Sequence, residues 1–156
     1  MINIEKNFNK SILIAVDESE NARRAVSYVA QILAGIKGFK VLILHVIRQP
    51  EEDYFPTSSE KNRWLGQYKL KVDAMLKDYR QILIRAGFAS EDVSVRSTLR
   101  YCPSLAECIL AERDQSGYST IVVGRQGLSR SEEILFGSVS SKIVNHARDC
   151  TIWVVE

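Results

Sequence analysis

Three glycines and a serine carry the clearest chemical signal in this sequence. They are Gly124, Gly127, Gly137 and Ser138, within the stretch GRQGLSRSEEILFGSVSS that starts at Gly124. Glycine lets a backbone approach phosphate oxygens with no Cβ in the way. Ser138, directly after Gly137, is placed to cap a helix whose free N–H groups and positive end face an anion. Arg125 and Arg130 offer charge-assisted contacts to the same anion. A plainer reading stands beside this one. The glycines also suit turns, Ser138 caps a helix with or without a ligand, and the two arginines suit solvent.

Other chemistries find less support. The segment after the first apolar run is Asp17-Glu18-Ser19-Glu20, without glycine, so there is no G-x-G-x-x-G fingerprint. No G-K-[ST] occurs, which excludes a P-loop, and no serine has the G-x-S-x-G context of a hydrolase elbow. His45 lies inside an apolar run and reads as a satisfied core histidine. His146 suits a helix C-terminus. Cys102, Cys108 and Cys150 form no C-x-x-C pair and, with the histidines, no metal-site spacing. They read as free thiols in a reducing compartment; Cys102, beside Pro103, suits an exposed redox-sensitive thiol or, more simply, a packed one.

The elements that would position these residues alternate along the chain. Apolar runs at Ser11–Val16, Lys40–Val46, Thr120–Val123 and Thr151–Val155 are nearly continuous, as strands buried on both faces are. A run at Val93–Leu99 alternates with polar residues and predicts a more exposed strand near an edge. Helical spacing appears from Ser19 to Ile36 and from Glu60 to Ala86, with Gly87 as a stop. Ser104-Leu105-Ala106-Glu107 is a capping-box pattern and starts a third helix. A fourth is expected from Ser138 to about Ala147. Strands alternating with helices predict βαβ units with right-handed crossovers and a mostly parallel sheet. Arg48–Ser59, with Pro50 and Pro56, predicts a loop.

Composition bounds the partners. The 156 residues suit one domain over 1–156, and 46% hydrophobic against 26% charged residues is a globular balance. Lys and Arg number 21 against 19 Asp and Glu, a formal charge of +2. That near-neutrality argues against a dedicated nucleic-acid binder. No apolar stretch suits a signal peptide or membrane span. The expected setting is the cytoplasm, with neither nucleic acid nor membrane as partner.

The pattern G-x2-G-x9-G-[ST], met in full by Gly124, Gly127, Gly137 and Ser138, resembles the ATP-binding motif of the universal stress protein family. The resemblance extends over nearly the whole chain. It includes the opening ILIAVDES, LHV in the second strand, VVG before the motif, GSVSSKIVNHA after it and the final WVV. It implies a single-domain three-layer α/β/α sandwich, Rossmann-like and adenine nucleotide alpha hydrolase-like. Its five-stranded parallel sheet would have the order 3-2-1-4-5, bringing Asp17 beside Gly124. It also implies that the backbone at Ala15, Val16 and Asp17 flanks adenine and ribose, and that Val46 meets adenine through its main chain. Gly124, Arg125, Gly127, Gly137, Ser138, Val139 and Ser140 would hold ribose and phosphates. ATP is the implied ligand, with Mg2+ or Mn2+. The chain departs from the family pattern at Arg125, in the run Leu128-Ser129-Arg130-Ser131, and at Arg148-Asp149-Cys150, where a proline is common.

Thr151–Val155 at a sheet edge would leave N–H and C=O groups open, and pairing with a second copy about a two-fold axis covers them. The resemblance implies the same homodimer. The expected function is nucleotide-dependent regulation, with an unidentified protein partner sensing occupancy. The alternatives are a slow ATPase or autophosphorylating enzyme with Ser129, Ser131, Ser138 or Ser140 as acceptor, and a dimeric module without nucleotide. No general base stands out in the sequence.

Overall fold

The computed structural model describes residues 8–50, 52–125 and 137–156. Its five strands form one parallel sheet in the order β3-β2-β1-β4-β5. They are β1 (Ser11–Ala15), β2 (Lys40–Arg48), β3 (Val93–Arg100), β4 (Thr120–Gly124) and β5 (Thr151–Val155). Four helices connect them: α1 (Glu20–Leu33), α2 (Ser58–Ala86), α3 (Leu105–Ser116) and α4 (Ser138–His146). The implied strand order is the observed one.

Strand alternation sorts the core into two layers. Ile12 and Ile14 of β1, Val41, Ile43 and Ile47 of β2 and Val122 of β4 face α1 and α2. Leu13, Leu42, Leu44, Val46, Ile121 and Val123 face α3 and α4. Successive strand residues point to opposite faces, so a strand covered on both sides must be apolar throughout. This is why β1, β2 and β4 carry nearly continuous apolar runs, broken in β2 by His45 alone. In β3 Ser94, Val95 and Arg96 are exposed, as befits an edge.

Local signals set the helix ends. Ser19 caps α1 by accepting from the Ala22 amide at 3.1 Å, and Thr57 caps α2 through the Glu60 amide at 3.2 Å. Ser104 accepts from the Glu107 amide at 3.3 Å and its hydroxyl donates to Glu107 Oε2 at 2.8 Å. Gly87 ends α2 with φ 115°, and Phe88 N–H reaches the Leu83 carbonyl at 3.1 Å, a left-handed close that favours glycine. The predicted loop is shorter than expected, because β2 runs on to Arg48 and α2 starts at Ser58 around a 3-10 turn at Glu52–Tyr54.

Two links hold α3 in place. Buried Glu112 accepts from Arg100 Nε at 2.6 Å and Arg96 Nη1 at 3.3 Å, joining α3 to β3. Arg113 donates to the carbonyls of Tyr118 at 2.8 Å, Arg148 at 2.9 Å and Asp149 at 2.8 Å. Those bonds organise the turn before β5, where Asp149 has φ 56°. The Arg148-Asp149-Cys150 departure is thus accommodated by a left-handed residue that Arg113 clamps.

The expectation of three free thiols is corrected. Cys102, in the turn after β3, and Cys108, the fourth residue of α3, form a disulfide; Cys150 is free. Six positions apart in sequence, the two become neighbours because the chain turns between the end of β3 and Ser104, where α3 is capped.

Candidate nucleotide site

The pocket opens where strand order reverses, at the C-terminal ends of β1, β2 and β4, the place where open α/β sheets bind ligands. Its walls include Ala15 and Val16 from the end of β1, Leu44 and Val46 from β2, and Val123 and Gly124 from β4. Leu105 and Ile109 of α3 and Val139 of α4 close the side. The polar rim is Asp17, Ser19 and His45. An apolar slot with a few fixed polar groups suits a flat heterocycle carrying a polar tail.

The loop after β1 is pinned on several sides. Val16 N–H donates to the Leu44 carbonyl at 2.9 Å, extending the ladder past the strand. The Val16 carbonyl lies 2.7 Å from His45 Nδ1, and His45 Nε2 lies 3.1 Å from the Tyr68 hydroxyl. With a carbonyl as acceptor, Nδ1 carries the proton and Nε2 accepts from Tyr68. Tyr79 donates to the Asp17 carbonyl at 2.6 Å. Burial first, then the charges of Glu18 and Asp17, push the Tyr68 phenol up. Burial and then Asp17 raise Tyr79 to about 12. Both phenols therefore keep their protons and their donor roles at neutral pH. The Asp17 carboxylate accepts from the Ser19 amide at 2.8 Å, which couples it to the α1 cap.

Gly124 has a packing requirement of its own. A Cβ built there would stand 2.8 Å from the Asn21 backbone carbon and 2.9 Å from its Cβ. The first turn of α1 thus crosses β4 at a distance that only glycine permits.

α4 starts at Ser138 as expected, but its cap differs from expectation. Gly137 is the N-cap, not Ser138, which is the exposed first residue of the helix. Gly137 has no side chain to satisfy the first-turn amides. Ser140 is buried, and its hydroxyl lies 2.9 Å from the Arg125 carbonyl and 3.1 Å from the Gly137 carbonyl. Gly137 N–H also donates to the Arg125 carbonyl at 2.7 Å. These bonds bring residues 125 and 137 together at the pocket's edge. The Arg125 guanidinium pairs with the Glu156 carboxylate at 2.7 Å.

The structure therefore brings Ala15, Val16, Asp17, Val46, Gly124 and Val139 to one pocket. Arg125, Gly137, Ser138 and Ser140 stand at the α4 junction beside it. Gly127, with Ser129, Arg130 and Ser131, lies outside the described residues. Sequence reasoning did not single out Leu105 and Ile109 as pocket walls. Their i, i+4 spacing after the capping box marks one helix face but not what that face meets. Nor did it find the tyrosine partners of the β1 loop. Tyr68 and Tyr79 sit in an amphipathic stripe that reads as core.

Comparison with known proteins agrees with this architecture. Residues 9–156 match the Universal stress protein family. A Staphylococcus haemolyticus protein assigned to the universal stress proteins is 30% identical over 150 residues, covering 94% of this chain and 84% of its own. The solved structure of hypothetical protein MJ0577 superposes with a TM-score of 0.79 at 23% identity, over 96% of each chain. A universal stress protein solved in complex with cAMP superposes at 0.68 with 21% identity, over 94% of this chain and 96% of its own. A family match over almost the full length, the shared sheet order and a pocket at its reversal agree: this chain belongs to the universal stress protein family.

Proposed function

We propose that this protein binds ATP in the pocket between β1, β4 and α3 and acts as a nucleotide-dependent regulator. The observation that carries the reading is the convergence of Ala15, Val16, Asp17, Val46, Gly124 and Val139 on one apolar slot beside the α4 N-terminus. The slot takes the adenine, Asp17 faces the ribose, and the glycine-patterned stretch with the first-turn amides of α4 takes the phosphates. The related cAMP complex supports an adenine nucleotide as the ligand class. Among the described residues no group of three His, Cys, Asp or Glu could hold a metal. A divalent ion would arrive on the triphosphate, held mainly by phosphate oxygens.

Regulation is favoured over turnover by His45. Val16 and Tyr68 occupy both nitrogens of the pocket's imidazole, which removes it from proton transfer. Occupancy is then sensed through loop order or through a homodimer paired along β5, in a cytoplasmic setting. No helix among the described residues is long and apolar enough to cross a membrane.

Calorimetric titration of ATP with Mg2+ into nucleotide-free protein, beside a Gly127→Trp variant, tests the site. Saturable binding that the folded variant loses is the expected result; no binding by the wild type overturns the assignment. Prolonged incubation with labelled ATP should yield neither ADP nor phosphoprotein above background, and either product would favour the enzymatic alternative.

A further inference from the structure

The two α3 residues that wall the pocket, Leu105 and Ile109, flank Cys108, one of a sulfur pair that nucleotide binding does not use. Cys102 and Cys108 have Cα atoms 5.8 Å apart, within the span a disulfide needs, and their sulfurs are joined. Cys108 is fully buried against the β2–β4 face of the sheet, and Cys102 is partly exposed. Between them lie the α3 cap, Ser104, and the pocket residue Leu105. The bond thus closes a short loop over the turn of helix that forms the pocket's wall.

We propose that Cys102 and Cys108 are a reversible dithiol–disulfide switch that sets this wall and so tunes nucleotide affinity. The nucleotide part of this inference rests on the function proposed above. The oxidant class is a peroxide. The Cys102 thiolate, accessible and two residues ahead of the α3 cap where the helix's positive end favours it, attacks a peroxide oxygen. Hydroxide leaves and Cys102 becomes a sulfenic acid. The Cys108 thiolate then attacks the Cys102 sulfur and expels a second hydroxide. Two thiols and hydrogen peroxide yield one disulfide and two waters. An external dithiol returns both cysteines to thiols through a mixed disulfide. Cys150 is a weak competitor, because burial pushes its thiol up despite the opposing charge of Arg113. Where thiols are kept reduced, such a bond is transient, as a signal requires.

Oxidised, the first turn of α3 is tied to the end of β3 and Leu105 is held against the slot. Reduced, that turn is freed from the strand. The oxidised protein is expected to bind ATP at least about fivefold more tightly than the reduced protein, the low end of ordinary site–site coupling.

The test compares full-length protein treated with hydrogen peroxide or with dithiothreitol, beside Cys102→Ser and Cys108→Ala variants. Both cysteines fall in one tryptic peptide, Tyr101 to Arg113. Oxidation should make that peptide lighter by two hydrogens, reversibly, and in neither variant. ATP titration should separate the two wild-type forms, while both variants bind like the reduced form under either treatment. Amide exchange over Leu105–Ile109 reads the same wall without nucleotide and should be slower in the oxidised form. Failure of the peptide to lose two hydrogens overturns the switch. Equal exchange in the two forms overturns its hold on the wall, and equal ATP affinities overturn the coupling. Absence of ATP binding in both forms, with exchange still redox-dependent, would sink the nucleotide reading and leave the switch standing.

Discussion

His45 Nδ1 and the Val16 carbonyl oxygen stand 2.7 Å apart, a bond from the middle of β2 to the residue where β1 gives way to the loop bearing Asp17. The loop's shape therefore depends on a histidine whose far nitrogen is itself held by Tyr68. Replacing His45 with Leu leaves the buried Val16 carbonyl without this partner. The expected cost is about 1–3 kcal/mol in urea unfolding, with weaker ATP binding in calorimetry. Unchanged stability and affinity would show that the bond positions nothing.

Tyr79 supplies a dependence on alkaline pH. Its proton is held more tightly in the folded state, where the pKa is about 12, than in the unfolded chain at about 10. Between those values the native state binds more protons, so stability falls as pH rises. The contribution is fully present below pH ~10 and is lost through pH ~12. Tyr79→Phe should flatten that part of the stability–pH profile. It should also cost about 1 kcal/mol at neutral pH through the lost bond to the Asp17 carbonyl.

Gly124→Ala should destabilise the protein whether or not ligand is present. The added Cβ meets Asn21 backbone at 2.8 Å, so α1 must shift. A loss of about 1–3 kcal/mol in thermal or urea unfolding is expected, as for overpacking elsewhere. Wild-type stability in the variant would mean that α1 relaxes freely, and would restore a purely ligand-based reason for this glycine.

Glu112→Ala should also be costly, because it takes the buried carboxylate from Arg100 and Arg96 and leaves Arg100, 25% exposed, with Gln115 as its side-chain partner. The expected loss is about 1–3 kcal/mol, with Glu112→Gln recovering part of it. A loss below about 0.5 kcal/mol would place the pair with exposed ion pairs instead.

The β5 edge offers a direct test of the dimer. Thr151 N–H donates to the Ser119 carbonyl and the Val155 carbonyl accepts from Arg125, so these alternate residues pair inward to β4. Ile152 and Val154 turn their N–H groups to the open side. Val154→Pro removes one outward donor and leaves the β4 ladder whole. Light scattering should give a dimer for the wild type and a monomer for the folded variant. A monodisperse wild-type monomer would remove the dimer.

Much of this architecture was legible along the chain, because helix and strand periods depend on neighbours within a few residues. The continuous runs of β1, β2 and β4 marked a sheet covered on both faces, and the Ser104–Glu107 pattern marked a helix start where one occurs. The glycine spacing drew attention to the end of β4 through resemblance. Other features were decided only by chain segments meeting in space. Gly137, not Ser138, caps α4, and Ser140 turns its hydroxyl back to the carbonyls of Arg125 and Gly137. His45 reads in sequence as a buried histidine; its partners come from β1 and α2, 29 and 23 positions away. Cys102 and Cys108 carry no spacing that announces a bond until the chain turns from β3 into α3. Leu105 and Ile109 are an ordinary apolar pair until the sheet beneath them opens at its reversal. Periodicity is local chemistry and shows in the order of residues. A pocket is the meeting of faces from distant segments, and packing alone selects which faces meet.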